Sequence, residues 1–260
     1  MGGKVFNGTN DFDHNAIEEL LDLVNNKILK NTGIECIPVG SAATPTPGKR
    51  SGDLDVIVDE KSVDSYFKTN NARDAKQALA KFIQSNGFET SVIGTNVHVK
   101  MPLGNEFHQL DIMVVADAGT VAQFHTHDIP QGSKFKGIHK QLAIAKIAKA
   151  KGYLWSAWKG LFTRNDKGKA GEFVSSDLNK IAQILLGDNR NANDLGSLES
   201  ILASLPKDQA DSLMAELEQD RNWNVSESAE IIRIKELAGL TLNSAVSYTH
   251  LRAHETVVHL

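Results

Sequence analysis

One cysteine, Cys36, stands among 260 residues. No disulfide framework can form from it, and a thiolate zinc cage is excluded. Neither charge dominates. With 28 Lys+Arg against 32 Asp+Glu the net charge is −4, which excludes a protein that coats nucleic acid through its whole surface but not one with a local basic patch. No run approaches the ~18–20 apolar residues of a membrane-spanning helix. The N-terminal segment also lacks the apolar core of a signal peptide. The expectation is therefore a cytoplasmic monomer with no membrane partner. What is present, 41% hydrophobic and 23% charged residues, suits one large or two modest globular domains.

Residues 246–256, Val-Ser-Tyr-Thr-His-Leu-Arg-Ala-His-Glu-Thr, read as a transposon-type sequencing adapter translated in one frame. On that reading the last ~15 residues are an artefact and belong outside any fold argument. His250, His254 and His259 go with them. Upstream, Ile17, Leu20, Leu21, Val24 and Ile28 recur on one face of a helix. Strands are expected near 34–39, 54–58, 91–101 and 106–115, with a Pro/Gly loop over 44–52 and a helix over 72–86 closed by Gly87. From Gln131 onward the pattern is helical throughout, near 137–151, 176–186, 195–204, 208–220 and 226–238. The fold class expected is α+β, a mixed sheet followed by a mostly helical C-terminal half.

The informative stretch runs from Gly40-Ser41 through Lys49-Arg50-Ser51-Gly52 to Asp53-Leu54-Asp55-Val56-Ile57-Val58. On a strand, Asp53 and Asp55 share one face while Leu54, Val56 and Val58 take the other. Paired carboxylates with no lysine between them repel, and a hard cation relieves that repulsion. Mg²⁺ is held by one or two carboxylates plus substrate phosphates. A solvated acidic turn is the plain alternative for an isolated Asp-x-Asp. A third acid, Asp111, opens another apolar strand, Leu110-Asp111-Ile112. Three carboxylates on neighbouring strands suit a two-ion site for in-line phosphoryl displacement. Gly40-Ser41 offers a bare N–H and a hydroxyl to a phosphate.

These residues resemble the palm of family X DNA polymerases, within the polymerase β-type nucleotidyltransferases. Gly132-Ser133 before a helix, Gly152-Tyr-Leu, Gly160-Leu-Phe162 and Ile184-Leu-Leu-Gly187 are similar to the start of that family's thumb. The resemblance, over roughly residues 35–187, implies a nucleotidyltransferase palm, placed over 1–125, and a thumb-like basic region over 126–190. A helical extension over 191–240 that carries no recognised motif, and the adapter-like tail over 241–260, complete the expected organisation. The resemblance also implies that Asp53 and Asp55 bind both of two Mg²⁺ ions (Mn²⁺ as a substitute) and that Asp111 binds the catalytic one and helps deprotonate the attacking hydroxyl. Ser41, with Gly40, would contact a nucleoside triphosphate, and Gly132-Ser133 would lie beneath its sugar. The chain departs from the family where Ala42, Ala43 and Thr44 replace a phosphate-holding arginine. Lys49 or Arg50 are the candidates to replace it, the alternative being that both simply face solvent. Gly137 and Gln141 stand where the family presents asparagine and arginine to the nascent base pair.

Residues 134–169 carry ten basic side chains against the single acid Asp166. Lys134, Lys136 and Lys140 head the run, and nucleic-acid phosphates are the partner expected of it. The functional expectation is transfer of a nucleoside monophosphate from an NTP or dNTP to a polynucleotide 3′ end. The alternatives are transfer to a small molecule or protein, and a non-catalytic nucleic-acid-binding relative. His125-Thr-His127-Asp128 lacks a third ligand and reads as loop rather than zinc site. Cys36 reads as core, as do the tryptophans Trp155 and Trp158 in preference to stacking platforms.

Overall fold

A computed structural model describes residues 5–94 and 96–220. The expected helix 226–238 and the tail 241–260, with its three histidines, lie outside the described residues. The structure is mixed α+β, built on a five-stranded mixed sheet.

The N-terminal segment forms β1 (Phe12–Asp13), a 3-10 turn, α1 (Ile17–Leu23) and a π-helical continuation over Val24–Ile28. The helix expected through these positions is thus three helical types in series, and its apolar face is kept: Ile17, Leu20, Val24 and Ile28 are buried. Next come β2 (Ile37–Pro38), a 3-10 turn over Gly40–Ala42, β3 (Arg50–Ser51) and β4 (Asp53–Asp59). β1 pairs with β3, so the N-terminal segment is tied to the Pro/Gly loop.

Two helices follow, α2 (Glu60–Phe67) and α3 (Ala72–Ser85). Asn71 caps α3 by accepting from the N–H groups of Arg73 and Asp74. The sheet is completed by β5 (Glu89–Ile93), β6 (Asn96–Leu103) and β7 (Glu106–Val115). The single strand expected near 91–101 is in fact the hairpin β5–β6. Gly94 adopts φ +61° at its turn, the left-handed conformation that glycine supplies without steric penalty.

Strand order is β2-β4-β7-β6-β5, and β4–β7 is the parallel pair. Leu54, Val56, Val58, Leu110, Ile112 and Val114 fill one face together with α1 and α3. On the other face Ile57 and Met113 pack beneath α4 (Ala118–His125). Slipping this register by one residue would turn six buried apolar side chains out of the core. At roughly 1.5–3 kcal/mol each, that is as large as a whole domain's net stability of about 5–15 kcal/mol.

A second core forms around α5 (Gly137–Ala150). The expectation that the strand signal stops at Gln131 is corrected here. A three-stranded antiparallel sheet, β8 (Tyr153–Ser156), β9 (Gly160–Arg164) and β10 (Ala170–Ser175), interrupts the helices. Gly152, with positive φ, turns the chain from α5 into β8. The β8–β9 hairpin closes with the Lys159 N–H on the Ser156 carbonyl, and Gly168, also at positive φ, lies in the β9–β10 turn, between short aromatic-containing segments that suit strands. Then come α6 (Leu178–Leu186), α7 (Leu198–Ser204) and α8 (Lys207–Glu218). Leu195, Leu198, Ile201, Leu213 and Leu217 share the core of α5, so the described part of the stretch read as an extension packs against the elements of residues 137–186.

Gln141 joins these elements. Its Nε2 donates to the Phe124 carbonyl at 2.7 Å, and its Oε1 accepts from Trp155 Nε1 at 2.8 Å. Trp155 and Phe124 also meet edge to face at 4.9 Å. We expect Trp155→Phe to lower unfolding free energy by about 1–3 kcal/mol, because the buried Gln141 oxygen loses its donor. Urea denaturation checks this, and an unchanged midpoint would count against the linkage.

Candidate functional site

The alternation of β4 and its pairing with β7 place the acidic residues. Asp55 stands opposite Asp111, and Asp53 opposite Gln109. Residues paired in register project to the same face, so Asp53, Asp55 and Asp111 share one face of neighbouring strands. His98 of β6 lies opposite Asp111 on its other side. Its Nδ1 sits 2.7 Å from Asp111 Oδ1, and Gln109 Nε2 donates to the same oxygen at 3.0 Å. Asp53 and Asp111 are buried, while Asp55 is half-buried.

Gly40 adopts φ +57°, and a Cβ there would meet Asp55 Oδ2 at 3.5 Å. The turn therefore needs glycine for its left-handed backbone, and it lays Gly40-Ser41 directly beside a carboxylate. The backbone N–H of Val39 donates to the Asp55 carbonyl at 3.1 Å and fixes that approach.

Asp55, Gly40 and Ser41 open onto a cavity of about 480 Å³. Lys49 and Arg50 line it from the Pro/Gly loop, and Lys134 and Lys136 from the segment before α5. Arg50 is anchored at one end of its guanidinium, where Nη2 donates to the Asp11 carbonyl at 2.7 Å. Asp53 and Asp111 are not among the residues that line the cavity. Among the described residues no group of three or more His, Cys, Asp or Glu side chains is gathered closely enough to hold a metal ion. Asp111 is drawn instead toward His98 and Gln109.

The far wall comes from the loop between α4 and α5. Ser133 donates to Glu199 and accepts from the Phe135 N–H at 2.9 Å, while the Asp128 N–H donates to the Gly196 carbonyl at 3.0 Å. Ser133 reaches the cavity, whereas Gly132 supplies only the turn, at φ +81°. Gly137 meets His127: a Cβ there would lie 2.1 Å from the ring's Nε2. Gln141, expected where a base pair would be read, is committed to Phe124 and Trp155.

Lys140 is corrected as a nucleic-acid contact. It is 3% exposed, and its Nζ donates to the Thr126 carbonyl at 2.7 Å. The helical period turns it inward while Lys134 and Lys136 precede the helix and stay at the cavity. Burial brings the Lys140 amine down to about 7. Burial, then the proximity of Lys140, lowers His125 to about 4. His127 falls well below the ordinary histidine value for the same two reasons, with His125 adding to them. The loop histidines are thus neutral wall elements, and His125 Nε2 and His127 Nδ1 are sealed from solvent. Burial pushes the Cys36 thiol up to about 12, in keeping with an inert core residue.

Sequence reasoning missed His14, His98 and Gln109. His98 and Gln109 were legible only as polar residues inside apolar strands. Nothing in the sequence pointed to His14, which meets the site through the β1–β3 pairing. Among the described residues no helix is long and apolar enough to cross a membrane. No protein-family model matches this chain, and no curated protein matches it.

The Lys140 amine gives a pH signature. In the unfolded chain it holds its proton to about pH 10.4, whereas in the fold it releases it near 7. The unfolded state binds more protons between those values, so stability rises with pH through the window. Between pH 7 and 8.5 the gain from this group should be about 1–2 kcal/mol. Lys140→Met should lack it, as read by urea unfolding at both pH values. An equal gain in the variant would place the titration elsewhere.

Proposed function

We propose that this chain is a Mg²⁺-dependent nucleotidyltransferase of the polymerase β type, moving a nucleoside monophosphate from an NTP or dNTP to a polynucleotide 3′ end with release of pyrophosphate. One observation carries the reading. A carboxylate paired in register with a second one across parallel strands lies beside a left-handed Gly-Ser turn, at the mouth of a cavity rimmed by four cations.

The donor set suits Mg²⁺: carboxylate oxygens, with no thiolate on that face. Because this ion takes only one or two carboxylates and completes its shell with substrate phosphates and water, Asp53 and Asp55 suffice without a closed three-residue cage. When bound, such an ion neutralises phosphate charge and polarises the reacting phosphoryl group. Ser41 and the turn's backbone hold the triphosphate. Arg50, with a planar fork that can take two oxygens, and Lys49 neutralise its outer charge. Asp111, oriented by His98 and Gln109, completes the carboxylate row and receives the attacking hydroxyl's proton. Lys149, Arg164 and Lys167 border an open groove beside the β9–β10 turn and supply charge for acceptor phosphates.

The direct test incubates the protein with each labelled nucleoside triphosphate and with single-stranded, gapped and transfer-RNA acceptors, with Mg²⁺ or with a chelator. Extension is expected only with the metal. Asp53→Asn and Asp55→Asn should each lower turnover at least about 100-fold with an unchanged circular dichroism spectrum. Wild-type turnover in Asp55→Asn would overturn the reading. Arg50→Ala should raise the KM for nucleotide several-fold with little change in Tm. A wild-type KM in both Arg50→Ala and Lys49→Ala would assign the phosphate to Lys134 or Lys136.

A further inference from the structure

The Gly-Ser turn is joined to a hydrogen-bonded row that begins outside it. His14 is buried at the start of the 3-10 turn after β1, and the β1–β3 pairing sets Phe12 opposite Ser51. The backbone N–H of Thr46 donates to His14 Nδ1 at 2.9 Å. A ring nitrogen that accepts a hydrogen bond carries no proton, so the imidazole proton is on Nε2. Nε2 lies 2.8 Å from Ser51 Oγ and donates there. The Ser51 hydroxyl in turn donates to Ser41 Oγ at 2.8 Å. Each member therefore has a fixed direction: Thr46 to His14, His14 to Ser51, Ser51 to Ser41.

The direction matters at the end of the row. Ser41 receives a proton donor from behind, which leaves its own O–H to be given forward. No described residue accepts from it, and Ser41 lines the cavity beside Gly40, Lys49 and Arg50. A hydroxyl held this way suits an anionic oxygen, and a bond to charge is the stronger kind. Successive donors in a buried row also polarise one another in the same sense.

We infer that His14 is a positioning residue, which through Ser51 sets the Ser41 hydroxyl as a one-way donor to an anionic phosphate oxygen in the cavity. The inference rests on the proposed nucleotide reading for the identity of that anion. His14 touches no reacting atom. It lies 37 residues from Ser51 and acts only through the serines.

The experiment measures binding of ATP and dATP, each with Mg²⁺, to the full chain by calorimetry, together with steady-state KM and kcat. Ser41→Ala and Ser51→Ala should each weaken triphosphate binding about tenfold, raising KM far more than they lower kcat. The double variant should be no worse than Ser41→Ala alone, because cutting the row behind an absent hydroxyl removes nothing further. Two His14 variants separate orientation from loop anchoring. Glutamine reaches the Nε2 position and keeps the donor to Ser51, whereas asparagine reaches only the Nδ1 position and keeps the acceptor for Thr46. His14→Gln should retain most of the affinity and His14→Asn should lose it. A residue that merely anchored the loop would show the reverse order. Ser51→Ala, a small change at the middle of the row, carries the test should either His14 variant fail to fold in a thermal melt. Wild-type affinity in Ser51→Ala beside a weakened Ser41→Ala would overturn the inference and leave the nucleotide reading standing, as would additive losses in the double variant. Absence of triphosphate binding by the wild-type protein would overturn both.

Discussion

The parallel pairing of β4 with β7 holds seven residues of each strand in register, from Asp53 opposite Gln109 to Asp59 opposite Val115. Because side chains alternate along a strand, this one register decides two things together. It buries Leu54, Val56 and Val58 with Leu110, Ile112 and Val114 on one face. On the other face it lines up Asp53, Asp55, Gln109 and Asp111. The acidic row is therefore held in place by the core behind it, and the two cannot be shifted separately. β7 is flanked by β4 and β6, so Asp111 also finds His98 across the antiparallel pair. A buried carboxylate needs such partners, since removing it from water without hydrogen bonds is costly.

The rest of the cavity is assembled by elements distant in sequence. β1 reaches the Pro/Gly loop and brings His14 and Asp11 to it. From the other side, α4 hands Phe124 into the second core, and Gln141 ties that core back through Phe124 and Trp155. The intervening loop is held by Glu199 and by the Gly196 carbonyl. These attachments let Lys134 and Lys136 line the same cavity as Asp55, although ~80 residues of chain separate them. The same packing seals Lys140, whose amine becomes a buried group bonded to a backbone carbonyl.

Much of the site was legible because it is local. Asp-x-Asp at the head of an apolar strand implies a shared face whatever the surroundings, and Gly before Ser after a strand implies a turn with open backbone donors. The single basic run was legible as charge but not as geometry. Composition cannot tell Lys136, which precedes α5 and reaches the cavity, from Lys140, one turn further on and buried. The strands of β8–β10 escaped notice because short aromatic segments between glycines carry little periodicity, and their pairing is what makes them strands.

The sequence by itself determined the strand faces, the acidic pair with its third partner, the Gly-Ser turn and the amphipathic helices. Apart from the third partner, Asp111, which was read from its own place at the head of an apolar strand, these depend on local patterns of a few residues. Only the tertiary structure decided that Lys134 and Lys136 share a cavity with Asp55, that Asp111 leans on His98, and that His14 reaches Ser41 through Ser51. Those contacts join residues 10 to 37 positions apart or further. At such separations the loop closures are chosen by what the whole core can bury, not by any local preference of the chain.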